Sequence, residues 1–152
     1  MTLPRSEGGP AVERTDGERV SRSVELDAAP AEVWDALTEE ALLAEWLADE
    51  VEIEAEPGGE IVCRYADGEE RRGEVELVEE AERLAWSWWR EDGEGSSRVE
   101  LVLDAVADGT RLTVIETAPL HAPGPLLATA PLAATWSAPL ARLRVAVRLV
   151  LA

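Results

Sequence analysis

"VELDAAPAEVWDALTEEALLAEWL", Val24 to Leu47, changes its hydrophobic period partway along. From Val20 through "SVELD" apolar and polar residues alternate, as on a strand with one buried face. Pro30 then suits a first helical position, and "APAEVWDALTEEALLAEWL" repeats near 3.6. Thr38 ahead of Glu39 and Glu40 predicts a second helix start, with a hydroxyl cap and carboxylates at the positive helix end. Leu42, Leu43, Trp46 and Leu47 fall on one face of that second helix. The segment reads as a strand followed by two short helices.

Beyond Asp49 period two takes over. Val51, Ile53 and Ala55 face one way and Glu52, Glu54 and Glu56 the other, up to a Pro57-Gly58-Gly59 turn. The alternation recurs in Ile61, Cys63, Tyr65; in Val75, Leu77; in Val99, Leu101, Leu103; and in Leu112, Val114. Asp67-Gly68, Asp92-Gly93 and Asp108-Gly109 separate these runs, and such pairs favour hairpin turns because they tolerate positive φ. In "PLAATWSAPLARLRVAVRLVLA", Leu132, Trp136, Leu140, Leu143, Val147 and Leu151 recur at spacings of three and four. That is one long helix, kinked or restarted at Pro139. The layout is α+β, with helices segregated from an antiparallel meander of six or seven strands.

The chain has 152 residues, enough for one domain that buries roughly 70% of the surface its unfolded form exposes. Residues 1–18 are rich in Gly, Pro and charge and read as a flexible tail or short edge strand. Residues 19–152 form the domain. A formal charge of -18 sets the chain against nucleic acid and anionic membranes. All basic residues are Arg, and Lys, Asn, Gln and Phe are absent, a genome-wide bias that gives Arg no special meaning here. One cysteine permits no internal disulfide, and the N-terminus has no signal-peptide pattern, so a cytoplasmic protein is expected. The stretch Ala118–Ala141 has no charged residue but contains five prolines, which argues against a membrane span.

"LAWSWWRE", Leu84 to Glu91, places Trp86, Trp88 and Trp89 in one strand-like run. Trp86 and Trp88 share the inward face with Leu84, and Trp89 points outward. The other inward positions are mostly small or medium, so a curved sheet closing over the last helix leaves a gap walled by aromatics, or else the indoles fill the core.

Several pieces in order carry a resemblance: "VELDAAPAEVWDALTEEALLAEWL", "PGGEI", "GEVELVEEAERLAWSWW", "VELVLDAVADGTRLTVIET" and "TWSAPLARL". The chain resembles the SRPBCC (START-like) superfamily. Within it, the chain is most similar to stand-alone bacterial proteins related to the C-terminal domain of the heat shock protein 90 ATPase activator. The resemblance covers about residues 19 to 150. It implies a helix-grip fold, a curved antiparallel sheet around the C-terminal helix and a cavity that in many relatives holds an apolar ligand. It also implies that Trp46, Trp86, Trp88 and Trp136 approach that cavity. Leu47 stands where relatives often carry an aromatic.

The expected lining is completed by Val51, Ile53, Cys63, Tyr65, Val75, Leu101, Leu103, Val114, Glu116, Leu140 and Leu143. Glu116 continues the period of Leu112 and Val114. It is expected at a strand end reaching water, with an inward ligand anchor or general acid/base as the alternative. Tyr65 packs its ring and wets its tip, or offers its hydroxyl to a ligand. His121 lies in the Pro/Ala-rich connection and reads as an exposed loop residue, with the connection from Ala118 to about Ala130 as a candidate lid. Cys63 reads as a small buried hydrophobe. No metal motif or phosphate loop occurs, so neither metal nor cofactor is expected.

Three functions follow. The first is non-catalytic binding of a small apolar molecule (lipid, sterol or polyketide-like). The second is a polyketide cyclase or dehydratase using Glu116 or Tyr65 for proton transfer. The third is an interaction protein that modulates a chaperone or regulator, with Trp89 or the apolar end of the last helix as contact surface and a homodimer or a protein partner as the assembly.

Overall fold

The computed structural model describes residues 19–90, 96–118 and 132–151. Its seven strands are β1 (Arg19–Leu26), β2 (Glu50–Ile53), β3 (Glu60–Arg64), β4 (Glu70–Glu79), β5 (Arg83–Arg90), β6 (Ser97–Val106) and β7 (Gly109–Thr117). They form one antiparallel sheet in the order β1-β7-β6-β5-β4-β3-β2. The meander runs from β2 to β7, and β1 adds itself beside β7. Helices α1 (Pro30–Thr38) and α2 (Glu40–Leu43) fill the connection from β1 to β2, and α3 (Leu132–Leu151) follows the sheet. This curved sheet with its terminal helix is the helix-grip architecture.

The start of α1 matches its sequence signals. Pro30 occupies the first turn, and the Ala29 N–H donates to Glu32 Oε1 at 3.1 Å, satisfying a donor the helix cannot use. Thr38 differs from expectation. Its hydroxyl donates back to the Trp34 carbonyl at 2.9 Å and does not cap α2, whose N-cap is Glu39. A Thr late in a helix has the carbonyl four residues behind it within reach of its hydroxyl, and that bond wins. Helix α2 is a single turn ending at Leu43, so Trp46 and Leu47 lie in the turn beyond it.

The inward stripe of α3 is Trp136, Leu140, Leu143 and Val147, all buried, while Val145 is exposed. The helix continues through Pro139 as one element. It packs against β1, and α1 reaches β6, β7 and α3. Leu26, Leu37, Leu43, Ile61, Leu84, Leu101 and Leu112 fill the space between the layers.

Two local features set the sheet's inner face. A bulge between Val75 and Leu77 pairs Val75 with Trp86 but Leu77 with Ala85. Leu77 therefore leaves the inward row that strict alternation predicts, and Val78 packs on the core in its place. Gly73 pairs with Trp88, and a Cβ there would lie 2.1 Å from the Ser87 carbonyl oxygen and 2.8 Å from Trp88 Cβ. In the turns, Gly68 takes φ +94 after Asp67, as the Asp-Gly signal predicts. The β6–β7 hairpin turns instead on Ala107 and Asp108, because Val106 pairs with Gly109.

Among the described residues no helix is long and apolar enough to cross a membrane. The tail of residues 1–18, the Asp92-Gly93 turn, and His121 with the 119–131 connection lie outside the described residues.

Candidate functional site

The inward row of β4 is Arg71, Gly73 and Val75; that of β5 is Leu84, Trp86 and Trp88; that of β6 begins at Ser97; that of β7 ends at Glu116. Cross-strand register joins them: Cys63 opposite Arg71, Gly73 opposite Trp88, Trp88 opposite Ser97, Val99 opposite Glu116. Because Gly73 has no side chain, the Trp88 strand approaches β4 closely. From the opposite layer α3 brings down Trp136.

Glu116 is buried, only 2% exposed, which corrects the expected strand-end position open to water. Although it is next to the last residue of β7, α3 covers that end of the sheet. The Trp136 indole N–H donates to Oε1 at 2.7 Å. The Trp88 N–H is shared between Glu116 Oε2 at 3.3 Å and Ser97 Oγ at 3.1 Å, and the Ser97 hydroxyl donates to Oε2. Three donors from β5, β6 and α3 thus converge on one carboxylate, the compensation that a buried acidic group requires. The indoles also touch each other. Trp88 and Trp136 are near parallel, 6.3 Å apart between centroids with an 18° interplanar angle, and Trp86 meets Trp88 edge-on at 5.6 Å. The Arg71 guanidinium lies 4.9 Å from the centre of the Trp88 ring.

A cavity of about 290 Å³ opens beside this cluster. Trp88 and Glu116 form its sheet wall together with Arg71 and Glu69 of the β3–β4 region. Trp136, Pro139 and Arg142 come from α3, and Tyr65 and Leu47 close the sides. Arg142 is held at the rim by two hydrogen bonds to the Trp46 carbonyl, at 3.2 and 3.3 Å. Burial pushes the Tyr65 hydroxyl above the ordinary tyrosine range, with the Cys63 thiol adding in the same direction and Arg71 opposing. Burial likewise pushes the Cys63 thiol up to about 12, against the pull of Arg71, so it stays protonated and unreactive near neutrality.

Of the residues expected to line a cavity, Tyr65, Trp88, Glu116 and Trp136 come together at this one. Trp46 and Trp86 do not: both are almost wholly buried in the core. The Trp46 N–H is tied to the Ala36 carbonyl at 2.9 Å, and the Trp86 N–H has no partner. Val51, Cys63, Val75, Leu101, Leu103, Val114, Leu140 and Leu143 are likewise buried in the core away from this wall, with Ile53 packed at its edge. Sequence reading missed Arg71 and Ser97. Arg71 lies four before Val75 and Ser97 two before Val99, both in step with the strand period, so the signal was present there. Trp89, at 37% exposure, faces outward as its parity requires. Among the described residues no group of His, Cys, Asp and Glu could hold a metal ion.

The family model described as "Activator of Hsp90 ATPase homolog 1-like protein" matches residues 27–148. No curated protein sequence matches the chain. Similar solved structures include DynU16, a protein of the dynemicin biosynthetic locus. DynU16 is 28% identical with a TM-score of 0.74 over 86% of this chain, which spans 47% of DynU16, about half its length. A protein from Rhodobacter sphaeroides is 27% identical with a TM-score of 0.70, covering 87% of this chain and 93% of its own. CalU16 from Micromonospora echinospora is 26% identical with a TM-score of 0.70, covering 87% of this chain and 66% of its own. With the helix-grip fold and a family match over most of its length, the chain belongs to the Activator of Hsp90 ATPase homolog 1-like family of the SRPBCC superfamily.

Proposed function

We propose that this protein binds a small, largely apolar molecule in the cavity bounded by Tyr65, Trp88, Glu116 and Trp136. The observation that carries the reading is the wall itself: two near-parallel indoles provide apolar surface, and a buried carboxylate and a guanidinium provide a few placed polar groups. Burying about 300 Å² of ligand surface contributes ~7 kcal/mol. Several kcal/mol are lost in immobilising the ligand, so polar contacts are needed to reach micromolar affinity, ~8 kcal/mol. The likeness to DynU16, from a biosynthetic locus, supports a small-molecule ligand over a macromolecular one. Titration with fatty acids, sterols and aromatic polyketides, followed by tryptophan emission, tests this. A saturable response that Trp136→Leu weakens at least tenfold is expected, and the absence of saturation with every class would refute it.

A second reading, proton transfer on a polyketide-like substrate, is supported by Glu116 and Tyr65 sharing the cavity wall. It requires turnover that Glu116→Gln abolishes while the protein stays folded.

A further inference from the structure

Resting on that binding reading, we infer that the cavity selects an uncharged hydroxy ketone on a one- or two-ring apolar skeleton. The hydroxyl donates to Glu116 Oε1, and the carbonyl accepts from the Arg71 guanidinium.

An ionised carboxylate offers about four acceptor positions. At Glu116 the Trp136 N–H uses one on Oε1, and the Ser97 hydroxyl and the shared Trp88 N–H use those of Oε2. One position on Oε1 remains, on a side chain that forms part of the cavity wall. The indole N–H groups can only donate, so what the site still lacks is a donor, and a ligand hydroxyl supplies it.

Arg71 presents the opposite need. Its Nε is buried without a hydrogen-bond partner, although it forms an ion pair with Glu69, whose Oε2 lies 3.6 Å away. The guanidinium is held over the Trp88 ring and forms part of the same wall. The guanidinium carries five N–H donors, and a ligand carbonyl oxygen accepts from those along the wall without bringing charge.

Charge and size narrow the class further. Arg71 and Arg142 line the cavity together with Glu69 and Glu116, so the lining carries two groups of each sign. A ligand carboxylate would meet the two acidic groups, and an ammonium the two guanidinium groups. At about 290 Å³ the space sits at the small end of ligand pockets, which run from about 300 to 1,000 Å³. A one- or two-ring skeleton suits it better than a long acyl chain.

Isothermal titration calorimetry with four naphthalenes tests the inference on the full chain: 6-acetyl-2-naphthol, 6-acetyl-2-methoxynaphthalene, 2-naphthol and 6-hydroxy-2-naphthoate. The hydroxy ketone is expected to bind about tenfold or more tightly than each of the others, because each lacks the donor, lacks the acceptor or adds a charge. In Arg71→Met the advantage of 6-acetyl-2-naphthol over 2-naphthol falls to about onefold. The inference is overturned if the methoxy compound or the naphthoate binds as tightly as the hydroxy ketone, or if the ketone's advantage survives in Arg71→Met. Either of those results leaves the cavity reading standing. If none of the four binds saturably, the inference is overturned, and the titration with fatty acids, sterols and aromatic polyketides decides the cavity reading separately. The probe series on the unaltered protein decides the matter even where Arg71→Met does not fold.

Discussion

The buried Glu116 cluster makes a prediction that can be worked from its distances. Trp136 donates its indole N–H to Glu116 Oε1 at 2.7 Å, its one acceptor among the described residues, whereas Trp88 divides its N–H between Glu116 at 3.3 Å and Ser97 at 3.1 Å. Removing Glu116 by Glu116→Leu therefore strands the Trp136 donor but leaves Trp88 with Ser97. Hydrogen bonds to charged groups contribute about 1.5–3 kcal/mol, and an orphaned buried donor costs about 1–3 kcal/mol. A double-mutant cycle of Glu116→Leu with Trp136→Phe should show a coupling of about 1.5–3 kcal/mol. The cycle of Glu116→Leu with Trp88→Phe should show less than about 1 kcal/mol, because Trp88 keeps an acceptor. Urea unfolding followed by far-ultraviolet circular dichroism measures all five variants without relying on the altered fluorophores. For a domain of this size each kcal/mol moves Tm by about 2–4 °C, which makes the two couplings separable. Additivity within about 0.5 kcal/mol in the Trp136 cycle, or a larger coupling to Trp88 than to Trp136, would refute the assignment of Glu116 as the anchor of α3.

Four further outcomes follow from local geometry. Gly73→Ala forces a Cβ against the Ser87 carbonyl and Trp88, both on a central strand, and should destabilise by about 1–3 kcal/mol in the same urea assay; a neutral effect would contradict the close approach. The Cys63 thiol, pushed up to about 12 by burial, should react with a thiol reagent at pH 8 at least a hundredfold more slowly in the native protein than in urea. Tyr65 is the chain's single tyrosine, and burial raises its pKa, so absorbance at about 295 nm should show no tyrosinate at the ordinary tyrosine pKa of about 10 unless the protein unfolds. The Ser87 hydroxyl, and after it Arg98, hold the Glu76 carboxyl below its usual pKa. The stability this adds is present above the ordinary carboxylate pKa of about 4.3 and is lost as pH falls through the depressed folded value. The site is largely exposed, so the difference between the unaltered protein and Glu76→Gln should stay under about 1 kcal/mol at pH 7 and vanish by about pH 2.

Much of this structure was legible in its periods. Val24 and Leu26, then Val33, Trp34 and Leu37, announce strand and helix because each element must place its apolar residues on one side. Parity alone sent Trp88 inward and Trp89 outward. What period could not supply was the place where α3 crosses the sheet. That crossing, a property of the whole packing, buries Glu116 near its strand end, seats Trp136 beside it and leaves Trp86 in the solid core. The bulge after Val75 has no signature in "GEVELVEE", so Leu77 and Val78 exchange sides unannounced. Thr38 had two nearby carbonyl and amide partners, and only the folded geometry decides between them. Arg71 was readable from its parity. A charged residue on an inward row conflicts with a purely apolar picture of the core, and such conflicts are where sites are found.

The most direct test of the cavity follows the six indole N–H resonances by heteronuclear nuclear magnetic resonance during titration with 6-acetyl-2-naphthol. Trp88 and Trp136, which line the cavity, should shift saturably together, while Trp34 and Trp89 stay in place. Saturable shifts centred on Trp89, or none at Trp88 and Trp136 at millimolar probe, would contradict the account.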